Sequence, residues 1–147
     1  MGAIYGFKFV SGPCEVREFP SATTGTYDAG EICSLSSGTL AIGAAGACAA
    51  VALKDAETSG TTPAIVITPE QIWSCGYNGT TATTMVGEDY LVTFTTSLQC
   101  VSSTETTPTV TVQDLDPRDG AKAYGRLLVR FNVANCQMTG LVTAATT

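Results

Sequence analysis

Along this chain, short runs of alternating apolar and polar residues are separated by clusters of Gly, Pro, Ser and Asn. A period of two is typical of a β-strand that is buried on one face. The clearest run is 126–134, in which every second residue from Leu127 to Val133 is apolar and would face the core. The pattern predicts eight to ten short strands, the clearest at 3–10, 15–19, 31–35, 39–42, 48–53, 63–68, 90–96, 109–113 and 126–134.

Residues typical of turns lie between these runs and support the prediction of short strands. Ser36-Ser37-Gly38 separates two extended runs and predicts a hairpin, and Asn78-Gly79 predicts a second tight turn. The segment 43–53 is ambiguous because its alanines would accept a helix, whereas Gly43 and Gly46 weaken one. We interpret 48–53 as a buried strand and keep a short helix as the alternative.

Many short strands without an amphipathic helix predict an all-β fold with short or no helices. The architecture that fits is a small β-barrel or β-sandwich. No repeat or linker divides the chain, so we predict one domain over residues 1–147. Residues 1–26 are a candidate N-terminal arm, and residues 143–147 are expected to fray.

The charge pattern restricts the classes of partner. Charged residues make up only 14% of the chain and the net charge is −6, so Thr, Ser, Asn and Gly must supply most of the polar surface. A nucleic-acid-binding protein needs a basic stripe, and an anionic membrane surface attracts basic segments. We therefore expect neither partner. The N-terminus lacks the pattern of a secretory signal, which predicts synthesis in a cytoplasm.

The residue types needed for most enzyme chemistry are missing. The chain has no histidine, which excludes Ser-His and Cys-His nucleophiles and histidine-ligated metals. It also lacks the glycine motifs that bind phosphates and dinucleotides. A hydrolase with two carboxylates is the remaining formal alternative, but no spacing singles out a pair among Glu15, Glu18, Glu70, Glu88 and Asp89. We predict that the chain is not an enzyme and uses no catalytic residue, cofactor or metal.

Three smaller motifs have two interpretations each. Six cysteines without a Cys-x-x-Cys pair are either buried thiols or disulfides formed in an oxidising medium. The run 114–120 has the aspartates of a calcium loop but not its spacing, so we favour a plain acidic turn. Asn78-Gly79-Thr80 fits a glycosylation sequon, and we favour the turn interpretation there as well.

Five aromatic residues are candidates for contact with a partner. Aromatic side chains are enriched at the energetic centres of protein interfaces, although most of them pack in cores. An alternating aromatic face lies near the N-terminus, and two more aromatic residues lie in one short segment. The candidate partner-binding residues are Tyr5, Phe7, Phe9, Trp73 and Tyr77.

The order of several segments resembles the small head decoration, or cement, proteins of tailed bacteriophages. The resemblance covers about two-thirds of the chain, and the six cysteines depart from it. It is carried by Tyr27-Asp28-Ala29-Gly30-Glu31, Ser36-Ser37-Gly38-Thr39-Leu40, the small-residue segment from Cys48 to Ala56, Gly87-Glu88-Asp89-Tyr90-Leu91-Val92, and Gly125-Arg126-Leu127-Leu128-Val129-Arg130-Phe131-Asn132.

The resemblance implies a β-barrel or β-tulip-like body that assembles, often as a trimer, on the outside of an icosahedral head, and it implies no active site. The expected partners are then the major capsid protein and further copies of the chain, and the expected location is the capsid surface of the virion. The alternatives are another virion component, such as a head fibre or receptor-binding knob, and a carbohydrate-binding or adhesin module.

Overall fold

The alternating runs form strands in the structure, a computed structural model that describes residues 6–21, 27–44, 46–56, 60–94, 99–104 and 109–138. Two short 3-10 turns, Thr83–Met85 and Val133–Asn135, are the helical elements of these residues. The eleven strands of the described chain are β1 (Phe7–Ser11), β2 (Val16–Pro20), β3 (Ile32–Ser36), β4 (Thr39–Ile42), β5 (Ala50–Ala52), β6 (Thr61–Val66), β7 (Ile72–Gly76), β8 (Asp89–Thr93), β9 (Cys100–Thr104), β10 (Val110–Leu115) and β11 (Arg126–Phe131).

The strands form two antiparallel sheets. Sheet A has six strands in the order β1-β7-β11-β10-β8-β9, and sheet B has five in the order β2-β6-β5-β3-β4. Their facing side chains form the larger apolar core, to which sheet A contributes Trp73 and Val129 and sheet B contributes Ile32, Val51 and Ile65. The predicted all-β class is therefore confirmed. Of the two architectures, the described strands form a sandwich-like pair of sheets and no closed barrel.

Strand β11 shows how alternation selects the buried face. Leu127, Val129 and Phe131 are buried in the core, as their spacing predicts. The prediction was wrong for Val133, which is 42% exposed. The strand ends at Phe131 and the chain enters the 3-10 turn Val133–Asn135, so the period of two no longer governs which side chains point inward.

Sheet B curls, and its concave face encloses a second apolar cluster. Ser21, directly after edge strand β2, forms a bridge with Leu40 of the other edge strand, β4. Small side chains make this curl feasible, since Ala52 lies opposite Ala64 and Ala50 lies opposite Val66 on the concave face. The Ala-rich segment is thus a strand at Ala50–Ala52, which confirms the strand interpretation and not the helical alternative.

Tyr27 fills the concave face of sheet B and is 2% exposed. Its hydroxyl group lies 2.9 Å from Ser21 Oγ and 2.5 Å from Thr62 Oγ1, and these two oxygens are 2.8 Å apart. The triangle of hydroxyl groups satisfies three polar side chains inside an apolar cluster, where an unpaired hydroxyl would be costly.

The predicted hairpin at Ser36–Gly38 is confirmed by strands β3 and β4. Ser37 has a φ of 52° and Gly38 a φ of 82°. Two successive positive φ angles are what a type I′ turn requires, and the twist of this turn matches that of the strands it joins.

The N-terminal segment is part of both sheets where the structure describes it. Strand β1 is an edge strand of sheet A, paired with β7, and β2 is an edge strand of sheet B, paired with β6. Within the candidate arm, residues 7–11 and 16–20 therefore contribute strands to the two sheets. Residues 1–5 and 22–26 of that arm, and the tail 143–147, lie outside the described residues.

Candidate binding surface

The structure brings three of the five candidate aromatic residues together. The ring centroids of Phe9 and Trp73 are 5.5 Å apart in an edge-to-face contact, and Phe131 packs against both Phe7 (5.7 Å) and Trp73 (6.2 Å). Phe7 and Trp73 are buried, and Phe9 is half-buried. The cluster therefore contributes to the core with most of its area, and only Phe9 offers substantial surface to a partner.

The other two candidates are elsewhere. The Tyr77 ring packs edge-to-face on Tyr90 at 5.7 Å, past the end of β7, and the backbone of Gly79 lies close over it. Tyr5 lies outside the described residues. The five residues therefore do not form one surface, and their contact with a partner stays a prediction.

Trp73 is held by a glutamine that the sequence pattern did not reveal. The indole N–H of Trp73 donates to Gln71 Oε1 at 3.1 Å, and the N–H of Thr68 donates to the same oxygen at 2.8 Å. Gln71 Nε2 donates to the carbonyl groups of Pro13 (2.8 Å) and Val66 (2.7 Å). The fully buried side-chain amide of Gln71 thus donates two hydrogen bonds and accepts two, and these bonds fix the corner between β6 and β7.

A groove lies beside this aromatic cluster, between β1 and sheet B. We call it the β1 groove, and it has a volume of about 330 Å³. Phe9 and Trp73 form one wall, and Val51, Leu53 and Ile65 form the other. Ligand pockets have volumes of roughly 300 to 1,000 Å³, so the groove is large enough for one bulky apolar group.

Among the described residues, no strand pairs with the outer edge of β1. The N–H of Phe7 bonds the carbonyl of Gly30, and not β7. Because N–H groups alternate in direction along a strand, the N–H and C=O groups of Phe9 also point away from β7. Residues 8 and 10–18 are exposed, so this edge is accessible. An open strand edge is a template for another strand.

The acidic turn at 114–120 is not arranged to hold a cation. The Asp116 carboxylate is 3% exposed and receives both Nε and Nη2 of Arg118, at 3.1 and 2.9 Å, and the hydroxyl of Ser74 at 3.2 Å. Hydrogen bonds from Arg118 are the main reason that the pKa of Asp116 falls to about 2. The preferred interpretation, a plain turn, agrees with this geometry.

Asp116 makes stability depend on pH in a defined window. The carboxyl group has a lower pKa in the folded chain than in the unfolded one, where about 3.9 is ordinary. Its contribution is therefore present above about pH 4 and is lost as the pH falls towards 2. We expect Asp116→Asn to lower the free energy of unfolding by about 1 kcal/mol at pH 7, with a smaller deficit at pH 2.5, measured by urea unfolding.

The exposed Asp114, near the end of β10, provides the matched control as Asp114→Asn. Its deficit should be close to zero at both pH values. A deficit of Asp116→Asn that stays constant from pH 7 to pH 2.5 would contradict the assigned role of this carboxylate.

Five cysteines are buried and Cys14 is exposed, and all six are thiols. Burial raises the pKa of Cys33, Cys48 and Cys75 to about 12. A thiol with such a pKa forms almost no thiolate at neutral pH and behaves as a small apolar residue. This state corresponds to the first of the two alternatives for the cysteines.

The five carboxylates considered for a hydrolase are all exposed. Glu15 is bound by Arg17 at 2.7 Å, and Glu18 and Asp89 accept hydrogen bonds from Thr61 and Thr111. Across the described ranges, no group of three or more metal-ligating side chains converges. None of the helical elements described has the length and hydropathy of a bilayer-spanning helix.

No protein-family model and no curated protein sequence matches this chain.

Proposed function

We propose that this chain is a virion protein that decorates the outer surface of an icosahedral phage head and stabilises it. The single observation that supports a binding role most directly is the β1 groove with its open strand edge. An apolar groove beside the edge strand of a sheet is suited to contact with another polypeptide. The choice of a phage head as the partner rests on the sequence resemblance.

The composition of the surface supports the same proposal. With 14% charged residues, much of the polar surface consists of neutral hydroxyl and amide groups, which need less desolvation than charges on contact. The net charge of −6 keeps free copies soluble and mutually repulsive. Both properties suit a protein that is held at high density on a shell.

Stabilisation would arise from a difference in affinity. A protein that binds the mature shell and not its disassembled subunits stabilises the shell by RT ln(1 + [L]/Kd) per site, which is about 2.7 kcal/mol at a concentration 100 times Kd. A homotrimer would engage three sites at once and gain avidity. We include this trimer and its contact with the major capsid protein in the proposal.

Of the two alternatives, a carbohydrate-binding module fits the structure less well than a decoration protein, and another virion component fits it equally well. A carbohydrate-binding module generally stacks sugars on exposed rings, whereas Trp73 is fully buried and its indole N–H is bonded to Gln71. A head fibre or receptor-binding knob would use the same kind of surface as a decoration protein. The position of the chain on the particle distinguishes these two.

The proposal is tested with heads of the encoding phage from which the chain has been deleted. Adding purified protein should restore protrusions at regular surface positions in electron micrographs and raise the temperature at which the heads release DNA. An unrelated acidic protein of similar mass is the control. Folded protein that fails to bind these heads, or that is found on tails or fibres of wild-type particles, would refute a decoration role.

A further inference from the structure

The β1 groove has a definite geometry for a partner strand. Because the N–H of Phe7 bonds Gly30 and not β7, alternation along β1 implies that the N–H and C=O of Phe9 also point away from β7. The ring of Phe9 lies against Trp73 on the core-facing side of sheet A. A strand that pairs with β1 would therefore receive two backbone hydrogen bonds at Phe9. Every second side chain of that strand would lie over the groove, because side chains alternate between the faces of a sheet.

Exposed apolar side chains are concentrated beside this edge. Val10 is 47% exposed at the bulge of β1, and Leu53 is 47% exposed in the groove wall. Val16, the register partner of Ile65, is 53% exposed on the same face of sheet B. These three belong to only six large apolar residues that are exposed in the described part of the chain. An apolar patch of this kind indicates a contact surface.

The charge beside the groove indicates the sign of the charge that a partner should carry. Lys8 is the one charged residue among those that line the groove. It is exposed, and no salt bridge found within the described residues involves it. An ammonium group at the edge of an acidic chain of net charge −6 is complementary to a carboxylate. Since Lys8 and Phe9 are neighbours on opposite faces of β1, the partner needs an acidic residue next to an apolar one.

We propose that the β1 groove binds an extended segment of the capsid protein that pairs with β1, inserts a bulky apolar side chain beside Trp73, and presents an adjacent carboxylate to Lys8. This inference deepens the proposed function and rests on it for the identity of the partner. The groove itself can be tested without the capsid.

The first experiment uses a blocked pentapeptide, Thr-Val-Trp-Asp-Thr, as the probe in a titration followed by amide NMR. The amides of Phe9 and Val10 and the indole N–H of Trp73 should shift, and amide exchange at Phe9 should slow. The matched peptide with Lys in place of Asp should bind about fivefold more weakly, as expected for an exposed ion pair. Shifts confined to another surface, no shifts at all, or equal binding of both peptides would overturn the assignment.

The second experiment measures binding of variants to the phage heads. Leu53→Asp places a charge in the groove wall and should weaken binding at least tenfold, which corresponds to about 1.4 kcal/mol. Val133→Asp is the matched control, because Val133 is similarly exposed, at 42% against 47%, and does not line the groove. It should bind within about twofold of the unmodified chain, since exposed substitutions away from a contact have small effects.

The two experiments separate the two proposals. If the chain binds heads and Leu53→Asp binds as tightly as Val133→Asp, the assignment of the groove is refuted and the decoration role stands. If the chain does not bind heads while the acidic peptide binds beside Phe9 as described, the decoration role is refuted. In that case the groove remains a site for an apolar and acidic strand of another protein.

Discussion

Replacing Gln71 by methionine is expected to lower the free energy of unfolding by about 3 to 5 kcal/mol. Methionine fills the same space but neither donates nor accepts strongly. The indole N–H of Trp73 and the N–H of Thr68 would lose their acceptor, and the carbonyl group of Val66 would lose its donor. Each buried group left unpaired costs about 1 to 3 kcal/mol.

Urea unfolding followed by fluorescence measures this loss, because Trp73 is the single tryptophan and lies against Gln71. The control is Gln113→Met. Gln113 is half-buried, donates a hydrogen bond of 3.3 Å to the carbonyl of Thr111, and accepts one of 3.3 Å from Arg130 Nε. Both bonds are long and the side chain reaches solvent, so less than about 1 kcal/mol should be lost. Equal urea midpoints for the two variants would show that the Gln71 network does not stabilise the corner.

The second large effect is expected on the concave face of sheet B. Ala64 is fully buried, lies opposite Ala52, and belongs to the cluster around Tyr27. Leucine at position 64 would add three carbon atoms where the neighbouring strand and Tyr27 leave little space. Overpacking of a core costs roughly 1 to 3 kcal/mol, and we expect the upper end because the curl of the sheet must also change.

Thermal unfolding of Ala64→Leu is compared with that of Ala121→Leu, which places the same side chain on an exposed turn. The exposed variant should differ from the unmodified chain by less than about 0.5 kcal/mol. An unchanged melting temperature for Ala64→Leu would mean that the concave face contains space for larger side chains and that alanine is not required for the curl.

Short sequence patterns correctly predicted the parts of the fold that are determined by residues close together in the chain. The hairpin around Ser37 and Gly38 follows from backbone conformations that only a few residue types adopt easily. The buried face of β11 follows from the alternation of its side chains. In both cases the information lies within about ten residues of sequence.

The remaining features depend on contacts between distant segments. Strand β9 was not predicted, because polar Ser102 and Ser103 interrupt its apolar pattern, and its pairing with β8 compensates for this. The curl of sheet B depends on alanines that meet only across strands β5 and β6. Asn78-Gly79, predicted as a tight turn, forms a bend that covers Tyr77.

The candidate site was predicted in part. Aromatic type and spacing singled out Phe9 and Trp73, which the structure places in contact. The wall of the groove that contains Leu53 could not be predicted from the sequence, because it belongs to the other sheet and meets β1 only in the folded chain. Gln71 was missed because a hydropathy pattern treats an amide as a surface group, whereas its four hydrogen bonds allow it to be buried.

The pairing of β1 with β7 has a consequence for biosynthesis. Phe7 pairs with Cys75, so a ribosome adding roughly 5 to 20 residues per second makes the partner strand several seconds after β1. During this interval the nascent chain exposes Phe7 and Phe9 without their partner rings. Chaperones that recognise extended apolar segments would then have their best opportunity to bind this polypeptide before β7 leaves the exit tunnel.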